Sequence, residues 1–286
     1  MSGTEESGSI GKISRGWQLT KMSLRVIRKD KEILIFPVLS GLIMLLILGS
    51  FVGGIFLTSG FAGVAQGSNG WIFYVFWAIF YFISFFVAIF FNACMIGCAT
   101  IRMDGGDPTV ADGFRIAGQN LWRLLLWALF AATVGLIIRA IQKRVGFIGR
   151  LIMGLVGVAW TVVTYFVVPV LIYEKLGPWG AVKRSASILK KSWGEALVGN
   201  IGIGIIFAAL MIPGILAIIA GVYVVISSGL AAAIVIWVVA IVYIVVIAII
   251  ATAAESILVA ALYRFATTGK VSEDFAGMQF DRPFVT

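Results

Sequence analysis

The chain has 286 residues, a formal net charge of +9 at pH 7 and no histidine. Hydrophobic residues make up 61% of it and charged residues only 12%, against about 45–50% and 25% in soluble domains. This composition excludes an ordinary soluble domain and predicts an all-α, polytopic integral membrane protein. The lack of histidine also excludes acid–base and metal chemistry that depends on an imidazole.

From the N-terminus, residues 1–12 are polar and partly acidic, show no cleavable signal peptide and are predicted to be disordered. A single membrane domain is predicted over residues 13–267, followed by a cytoplasmic tail over residues 268–286. The domain contains six apolar runs, and about 20 apolar residues suffice to span a bilayer. The six predicted membrane helices are Ile33–Leu57, Trp71–Ile101, Leu121–Ile138, Phe147–Tyr173, Ala196–Ile226 and Leu230–Phe265.

A short amphipathic segment lies before each pair of apolar runs, and the clearest one begins at Pro178. Its apolar residues recur at spacings of three and four, which predicts one stripe of a helix. That stripe consists of Trp179, Val182, Ala186, Leu189 and Trp193. The basic residues Lys183, Arg184, Lys190 and Lys191 fall on the other side. Tryptophan at both ends and lysine opposite predict a helix in the membrane interface that binds anionic lipid.

The same unit occurs near the N-terminus. A shift of 162 residues places Trp17 under Trp179, Lys21 under Lys183 and Ser23 under Ser185. In a third, middle segment, Asp107 is the predicted N-cap and Pro108 a first-turn residue. The stripe of this middle segment is Val110, Phe114, Ala117 and Leu121. The pattern predicts three repeats of surface helix, membrane helix and membrane helix, at about residues 13–101, 107–173 and 178–266.

Lysine and arginine are concentrated in the segments that contain the surface helices, whereas the connections Thr58–Gly70 and Ser227–Gly229 carry no charge. We expect the protein to lie in the plasma membrane. By the positive-inside rule, both of its termini and all three surface helices face the cytoplasm. One connection disagrees with this rule, because the basic residues between the third and fourth membrane helices are predicted to lie on the outer side of the membrane. They are Arg139, Lys143, Arg144 and Arg150. They snorkel, hold an anion or anionic lipid head group, or mark a hairpin that does not span.

Few polar residues fall inside the apolar runs. Glu255 is the one buried acid predicted in the sixth run, and it either pairs with Arg123 or Lys191 or takes part in transport. Asn92 and Asn200 are candidate partners or interhelical hydrogen-bonding residues. Cys94 and Cys98 lie on one helical face and are interpreted as packing residues rather than metal ligands. No cofactor and no nucleotide-binding loop are predicted.

Three stretches resemble a known family. They are RKDKEILIFPVLS at Arg28–Ser40, GGDPTVADGF at Gly105–Phe114 and VVPVLIYEKLGPWGAVKRSASILKKSWGE at Val167–Glu195. Together they resemble a family of prokaryotic polytopic membrane proteins of unknown function. More distantly, Glu174–Ser185 is similar to the membrane domain fused to some glycerophosphodiester phosphodiesterases. The resemblance implies the membrane architecture and carries over no catalytic residue, because those enzymes keep their chemistry in a separate soluble barrel.

The sequence therefore favours a membrane protein that is not an enzyme, binds anionic lipid at its cytoplasmic face and assembles with its own copies or a partner. Nucleic acid is not an expected partner, since the basic residues share their helices with tryptophan stripes. A channel or transporter for a small ion or solute is the alternative, and a lipid-modifying enzyme is the third hypothesis. Internal repeats with an even number of membrane helices are parallel, which disfavours inverted-repeat transporter folds.

Overall fold

A computed structural model of the protein describes residues 17–65 and 70–269, and their side chains except at 55–65, 70–74, 191–201 and 227–228. The predicted disorder of residues 1–12 and nearly all of the predicted tail lie outside the described residues. Within the described part of the chain, the regular structure is helical throughout, as the composition predicts.

The described residues form nine α-helices. A 3₁₀ turn precedes one of them, and a π-helical turn follows another. Helix α1 comprises residues 17–29, and a 3₁₀ turn at Lys31–Leu34 leads into the next helix. The others are α2 (Ile35–Ala65), α3 (Gly70–Met103), α4 (Val110–Gln119), α5 (Leu121–Arg144), α6 (Phe147–Val163), α7 (Val167–Pro169), α8 (Pro178–Ser228) and α9 (Leu230–Thr268). A π-helical turn at Val170–Glu174 follows α7 directly.

Six helical stretches among the described residues are long and apolar enough to cross a membrane. They are Lys31–Gly54, Val75–Met103, Leu121–Arg144, Phe147–Glu174, Gly202–Ile226 and Leu230–Thr268. Their mean hydropathies run from 2.2 to 3.3. The prediction of an all-helical protein is therefore confirmed, and six of its helical stretches have the length and apolar composition of membrane helices.

Several helix boundaries differ from the predicted ones. Helix α2 continues to Ala65, so most of the predicted connection Thr58–Gly70 is helical. Helix α5 continues to Arg144, and only Val145 and Gly146 separate it from α6. The four basic residues assigned to a connection are therefore helical, three at the end of α5 and Arg150 at the start of α6.

Two of the predicted membrane segments are organised differently. The fourth run is broken, since α6 ends at Val163 and the chain turns at Thr164–Phe166 before α7 begins. By contrast, the third surface segment and the fifth membrane segment form one continuous helix, α8. Glycine in a helix interior costs about 1 kcal/mol and does not end it, so the predicted division of α8 near Ala196 was wrong.

The chain divides into two compact units. Among the described residues, the first contains 17–34, 99–107 and 192–269, and the second contains 35–65, 70–98 and 108–191. Two of the four boundaries fall inside α3 and α8, so each of these helices contributes to both units. Each unit combines segments that are separated in the sequence.

In the first unit, α8 and α9 are joined at Gly229, whose φ of +90° is accessible to glycine without strain. Small residues allow the helices to approach. A methyl group added at Gly221 would lie 2.3 Å from Trp237 Nε1. The Trp237 indole N–H donates to the Ile218 carbonyl at 3.0 Å, and the Tyr243 hydroxyl donates to the Leu210 carbonyl at 2.7 Å. Close glycine contacts and interhelical hydrogen bonds are typical of membrane helix pairs.

In the second unit, aromatic rings hold α4 against α2 and α3. The Phe114 ring of α4 lies 5.7 Å from that of Phe36 and 5.9 Å from that of Phe91. Aromatic pairs at this distance stabilise a core beyond the area they bury. Helix α5 packs along α6, where the Trp127 and Trp160 rings stack at 6.2 Å.

Candidate functional site

Helix α1 buries one face and exposes a tryptophan–lysine pair at its start. The buried side chains are Leu19, Thr20, Met22, Ser23, Val26 and Ile27. Trp17 remains 46% exposed, and the Lys21 ammonium lies over its ring, 5.2 Å from the centroid. This distance lies within the range of a cation–π interaction. The pair places an amphipathic ring and a positive charge side by side on the outer face of α1.

The beginning of α8 has the same arrangement. Trp179 is 60% exposed, and the Lys183 ammonium lies 5.5 Å from the centre of its ring. The buried side chains of this segment are Ala181, Val182, Ser185, Ile188 and Leu189. Five buried positions of α1 become these five when 162 residues are added. Of the predicted stripe, Val182 and Leu189 are buried, Ala186 is half-buried and Trp179 is exposed, whereas the side chain of Trp193 lies outside the described part of the structure.

The basic side chains of this segment are not equivalent. Arg184 Nε donates to both carboxylate oxygens of Glu174, at 2.9 and 2.8 Å. Arg184, predicted as part of the basic face, is thus paired, because the π-helical turn before α8 brings a carboxylate to it. Lys183 and Lys190 are exposed, whereas the side chain of Lys191 lies outside the described part of the structure.

A buried serine supports the break in the fourth apolar run. The Phe166 backbone N–H donates to Ser185 Oγ at 3.0 Å, which satisfies a donor that the interrupted helix leaves open. The Ser185 side chain is 0% exposed. Ser23 occupies the corresponding position of α1 and is equally buried, but its hydroxyl has no hydrogen-bond partner among the described residues. The two serines therefore share a position in the pattern and differ in what they stabilise.

We expect Ser185→Ala to lower the free energy of unfolding by about 1–3 kcal/mol, because the buried Phe166 N–H loses its acceptor. The matched change Ser23→Ala removes a hydroxyl that has no described partner and is expected to be neutral or slightly stabilising. Thermal unfolding of both purified variants in the same detergent checks this difference. Equal losses of stability for the two variants would contradict the assigned role of the Ser185 hydroxyl.

An ion-pair network that the sequence did not predict lies in the first unit. Arg102, in the last turn of α3, donates through Nε and Nη2 to the two carboxylate oxygens of Asp30. The same guanidinium pairs with Asp107, and Arg264 of α9 pairs with Asp104. Asp30 is only 5% exposed. The sequence contained one signal for this network. Asp30 is a lone aspartate in a basic segment, and Arg102 is a lone arginine at the end of an apolar run.

The cap of α4 also differs from its prediction. Thr109, and not Asp107, is the N-cap, with Pro108 before the helix. The Thr109 hydroxyl accepts from the Asp112 N–H at 3.2 Å, and the Thr109 N–H donates to the Asp112 carboxylate at 3.0 Å. This reciprocal arrangement is a capping box. Hydrogen bonds from the Thr109 hydroxyl and N–H lower the pKa of Asp112, and the charge of Arg115 acts in the same direction.

The buried face of α4 differs from the predicted stripe, of which Ala117 is buried and Val110 half-buried. Gly113, Ala117 and Asn120 are buried, whereas Phe114 and Leu121 remain partly exposed. A methyl group added at Gly113 would lie 2.4 Å from Phe36 Cζ and 2.9 Å from Cys98 Sγ. The glycine therefore permits a close approach of α4 to its neighbours.

Both cysteines are buried free thiols. Cys98 Sγ lies 3.5 Å from the Thr109 carbonyl, to which its thiol donates. Among the described residues, no group of three or more aspartate, glutamate, cysteine or histidine side chains is placed to hold a metal ion. The burial of both cysteines agrees with a packing role for these two side chains.

The basic residues near the α5–α6 connection form a group that we name the α5–α6 tip. It consists of Arg139, Lys143 and Arg144 at the end of α5 and Arg150 at the start of α6, and all four are exposed. The Arg139 guanidinium lies 5.4 Å from the centre of the Tyr81 ring. The structure therefore brings these four sequence-predicted residues together at one end of a helical hairpin.

The polar candidates of the membrane segments are placed separately. Glu255 is exposed on α9, and it forms no ion pair with any side chain that the structure describes. Arg123, one predicted partner, donates to Asn120 Oδ1 at 3.0 Å and to the Lys175 carbonyl at 3.2 Å. The side chain of Lys191, the other predicted partner, lies outside the described part of the structure. Asn92 is half-buried on α3, and the Asn200 side chain lies outside the described set.

Comparison with known proteins gives one match. Residues 71–273, from α3 to beyond α9, match DUF6159, which is described as a family of unknown function. The chain belongs to the DUF6159 family. No curated protein matches it, and no solved structure matches it. The family assignment covers both the α5–α6 tip and the tryptophan–lysine pair of α8, whereas α1 precedes the matched residues.

Proposed function

We propose that this DUF6159 protein is a non-catalytic membrane protein that binds anionic lipid through surface helices on the cytoplasmic side of the plasma membrane. In this proposal both termini are cytoplasmic, and lipid binding supports assembly with further copies or a membrane partner. The observation that carries the proposal is the pair of matching tryptophan–lysine contacts in α1 and at the start of α8.

The match between the two segments extends beyond these contacts, which supports an internal repeat. Five buried positions and one cation–π pair coincide after the shift of 162 residues. Such agreement follows when each segment packs one face on protein and turns the other outward. We include the middle helix α4 as a third surface helix, each of the three preceding two membrane segments.

Lipid recognition follows from the chemistry of the outward faces. Tryptophan and tyrosine favour the membrane–water interface, where their rings have one apolar and one wet side. A lysine held over a tryptophan ring is kept at the depth of the phosphate groups. Each basic residue near an anionic membrane surface contributes on the order of 1 kcal/mol. Lys21, Arg28, Lys183 and Lys190 are exposed on these helices, whereas Arg184 already pairs with Glu174 and contributes less.

Local lipid composition beside α8 tests this proposal. A fluorophore is attached at Ser187→Cys, an exposed position of α8, in a background with Cys94→Ala and Cys98→Ala. Brominated phosphatidylglycerol is expected to quench it several-fold more than brominated phosphatidylcholine, because the cations enrich the anionic lipid. Changing Lys21, Arg28, Lys183 and Lys190 to glutamine is expected to bring the quenching ratio close to about one.

The matched control removes four positive charges elsewhere, by changing Arg139, Lys143, Arg144 and Arg150 to glutamine. That variant is expected to keep the enrichment at Ser187→Cys, since its charges lie at the α5–α6 tip. An equal effect of both variants would indicate a response to net charge alone and would contradict binding by the surface helices.

Assembly is supported by the apolar surface of the membrane helices. In the described part of the α8–α9 hairpin, large side chains are exposed along both helices. The most exposed are Tyr223, Ile226, Val235 and Val239. The distant resemblance to a membrane domain that accompanies phosphodiesterases fits a module that works beside an enzyme without sharing its chemistry.

A channel or transporter is the second candidate, and the exposed Glu255 favours it. An ionisable residue in a membrane segment is by default a functional candidate.

The broken segment after α6 adds little support to the channel or transporter alternative. Val163, the last residue of α6, lies about 24 Å along the helix from Phe147, which is most of the hydrocarbon thickness of about 30 Å. The break therefore falls near one membrane surface, whereas transporter binding sites lie near the midplane.

A further inference from the structure

The α5–α6 tip concentrates positive charge without any nearby acid. Arg139, Lys143, Arg144 and Arg150 lie within 12 residues of sequence, and residues 113–173 contain no aspartate or glutamate. None of the four forms an ion pair with a side chain that the structure describes. The hairpin has no acidic residue of its own that could neutralise these charges. Where water is scarce, an external anion must therefore balance them.

The hairpin geometry places the four charges at similar heights. Only Val145 and Gly146 join α5 to α6, so the two helices run antiparallel from the tip. Arg139 lies about 8 Å from the last residue of α5 along the axis, and Arg150 about 5 Å from the first residue of α6. The charges therefore form one band around the tip and are not dispersed along the helices.

One member of this band is held in place by an aromatic ring. The Arg139 guanidinium lies over Tyr81, and the Tyr81 ring is stacked on that of Phe85, with centroids 6.1 Å apart and planes inclined by 5°. Cation–π contact leaves the N–H donors at the edge of the guanidinium available to a ligand, since the ring covers only its face. Arg139 is thus positioned with its donors free to bind an oxyanion.

The height of the band corresponds to a membrane surface. Arg139 lies about 27 Å along α5 from Leu121, close to the thickness of the hydrocarbon core. Large apolar side chains are exposed at the same height. They are Ile137, Ile141, Phe147, Ile148 and Leu151. A band that mixes exposed aliphatic, aromatic and basic side chains is suited to the boundary between acyl chains and head-group phosphates.

We propose that the α5–α6 tip binds the phosphate of an anionic phospholipid in the leaflet opposite the surface helices. Arginine suits this ligand because its planar fork of donors matches phosphate oxygens. The bound lipid also accounts for four basic residues on the side of the membrane that the positive-inside rule disfavours. This site is separate from the surface helices and does not depend on their function.

The test uses full-length protein in bilayers, with a fluorophore at Gln142→Cys in the background with Cys94→Ala and Cys98→Ala. Brominated phosphatidylglycerol is expected to quench it several-fold more strongly than brominated phosphatidylcholine. Changing Arg139, Lys143, Arg144 and Arg150 to glutamine is expected to bring the ratio to about one, with roughly fivefold weaker binding per cation removed. The matched control is the four-glutamine variant of the surface helices, which is expected to leave this ratio unchanged.

Equal quenching by the two lipids in the parent protein would overturn the proposal, and this arm needs no charge-removing variant. Enrichment that survives in the four-glutamine variant would overturn it as well. Excess inorganic phosphate in the buffer separates a lipid site from a site for free phosphate. Unchanged quenching supports the lipid, whereas loss of the phosphatidylglycerol preference assigns the tip to soluble phosphate instead. Replacing the three arginines by lysine is expected to preserve part of the preference, since charge remains while the planar fork is lost.

Discussion

Asp30→Asn is expected to lower the free energy of unfolding by about 3 kcal/mol, the largest effect of any single ion-pair change considered. Asp30 is 5% exposed and accepts from two nitrogens of Arg102. Removing one partner of a buried pair costs about 3–5 kcal/mol, because the remaining charge stays desolvated. The lower end of that range applies here, since Arg102 is 21% exposed and also contacts Asp107. Denaturant titration of the purified protein in mixed micelles measures the loss.

Asp107→Asn is the matched control, because it removes a second carboxylate from the same guanidinium. Asp107 is 90% exposed, and exposed ion pairs contribute about 0–1 kcal/mol. We expect this variant to unfold within about 1 kcal/mol of the parent. Equal destabilisation of the two asparagine variants would show that the burial of Asp30 does not determine how much its ion pair stabilises the protein.

Gly113→Ala is expected to destabilise the protein by about 1–3 kcal/mol, the usual cost of overpacking a core. The added methyl group would approach Phe36 Cζ to 2.4 Å, and the Phe36 side chain is 0% exposed and held by the Phe114 ring. The Cys98 thiol, which the methyl group would approach to 2.9 Å, is buried as well. Thermal unfolding of the purified variant measures the effect, and Phe36→Leu in the same chain is expected to restore part of it.

Gly118→Ala provides the control within the same helix. Nothing lies within 4 Å of a methyl group at this position, and alanine is favoured over glycine in helices by up to about 1 kcal/mol. Gly118→Ala is therefore expected to be neutral or stabilising. A Gly113→Ala variant that is as stable as Gly118→Ala would show that α4 can shift outward, and the close approach of α4 would then not be required.

Much of the architecture follows from the sequence alone. Each of the six membrane segments is recognisable because spanning a bilayer depends on local composition over about 20 residues. The correspondence of Trp17 with Trp179 and of Lys21 with Lys183 was also visible in the sequence, and the structure gives both pairs the same cation–π geometry. Residues four apart on a helix are neighbours in any fold, so such contacts need no knowledge of tertiary structure.

Only the tertiary structure decided the features that depend on distant residues. The pair between Asp30 and Arg102 joins positions 72 residues apart, and no local pattern specifies which carboxylate a given arginine meets. The same applies to Arg184, whose pairing with Glu174 requires the π-helical turn before α8. The cap of α4 is by contrast a local feature, since Thr109 and Asp112 form a capping box three residues apart that the sequence prediction missed. Local sequence thus determines which segments are helical and membrane-spanning, whereas burial and competition among distant charges determine how their ends are held.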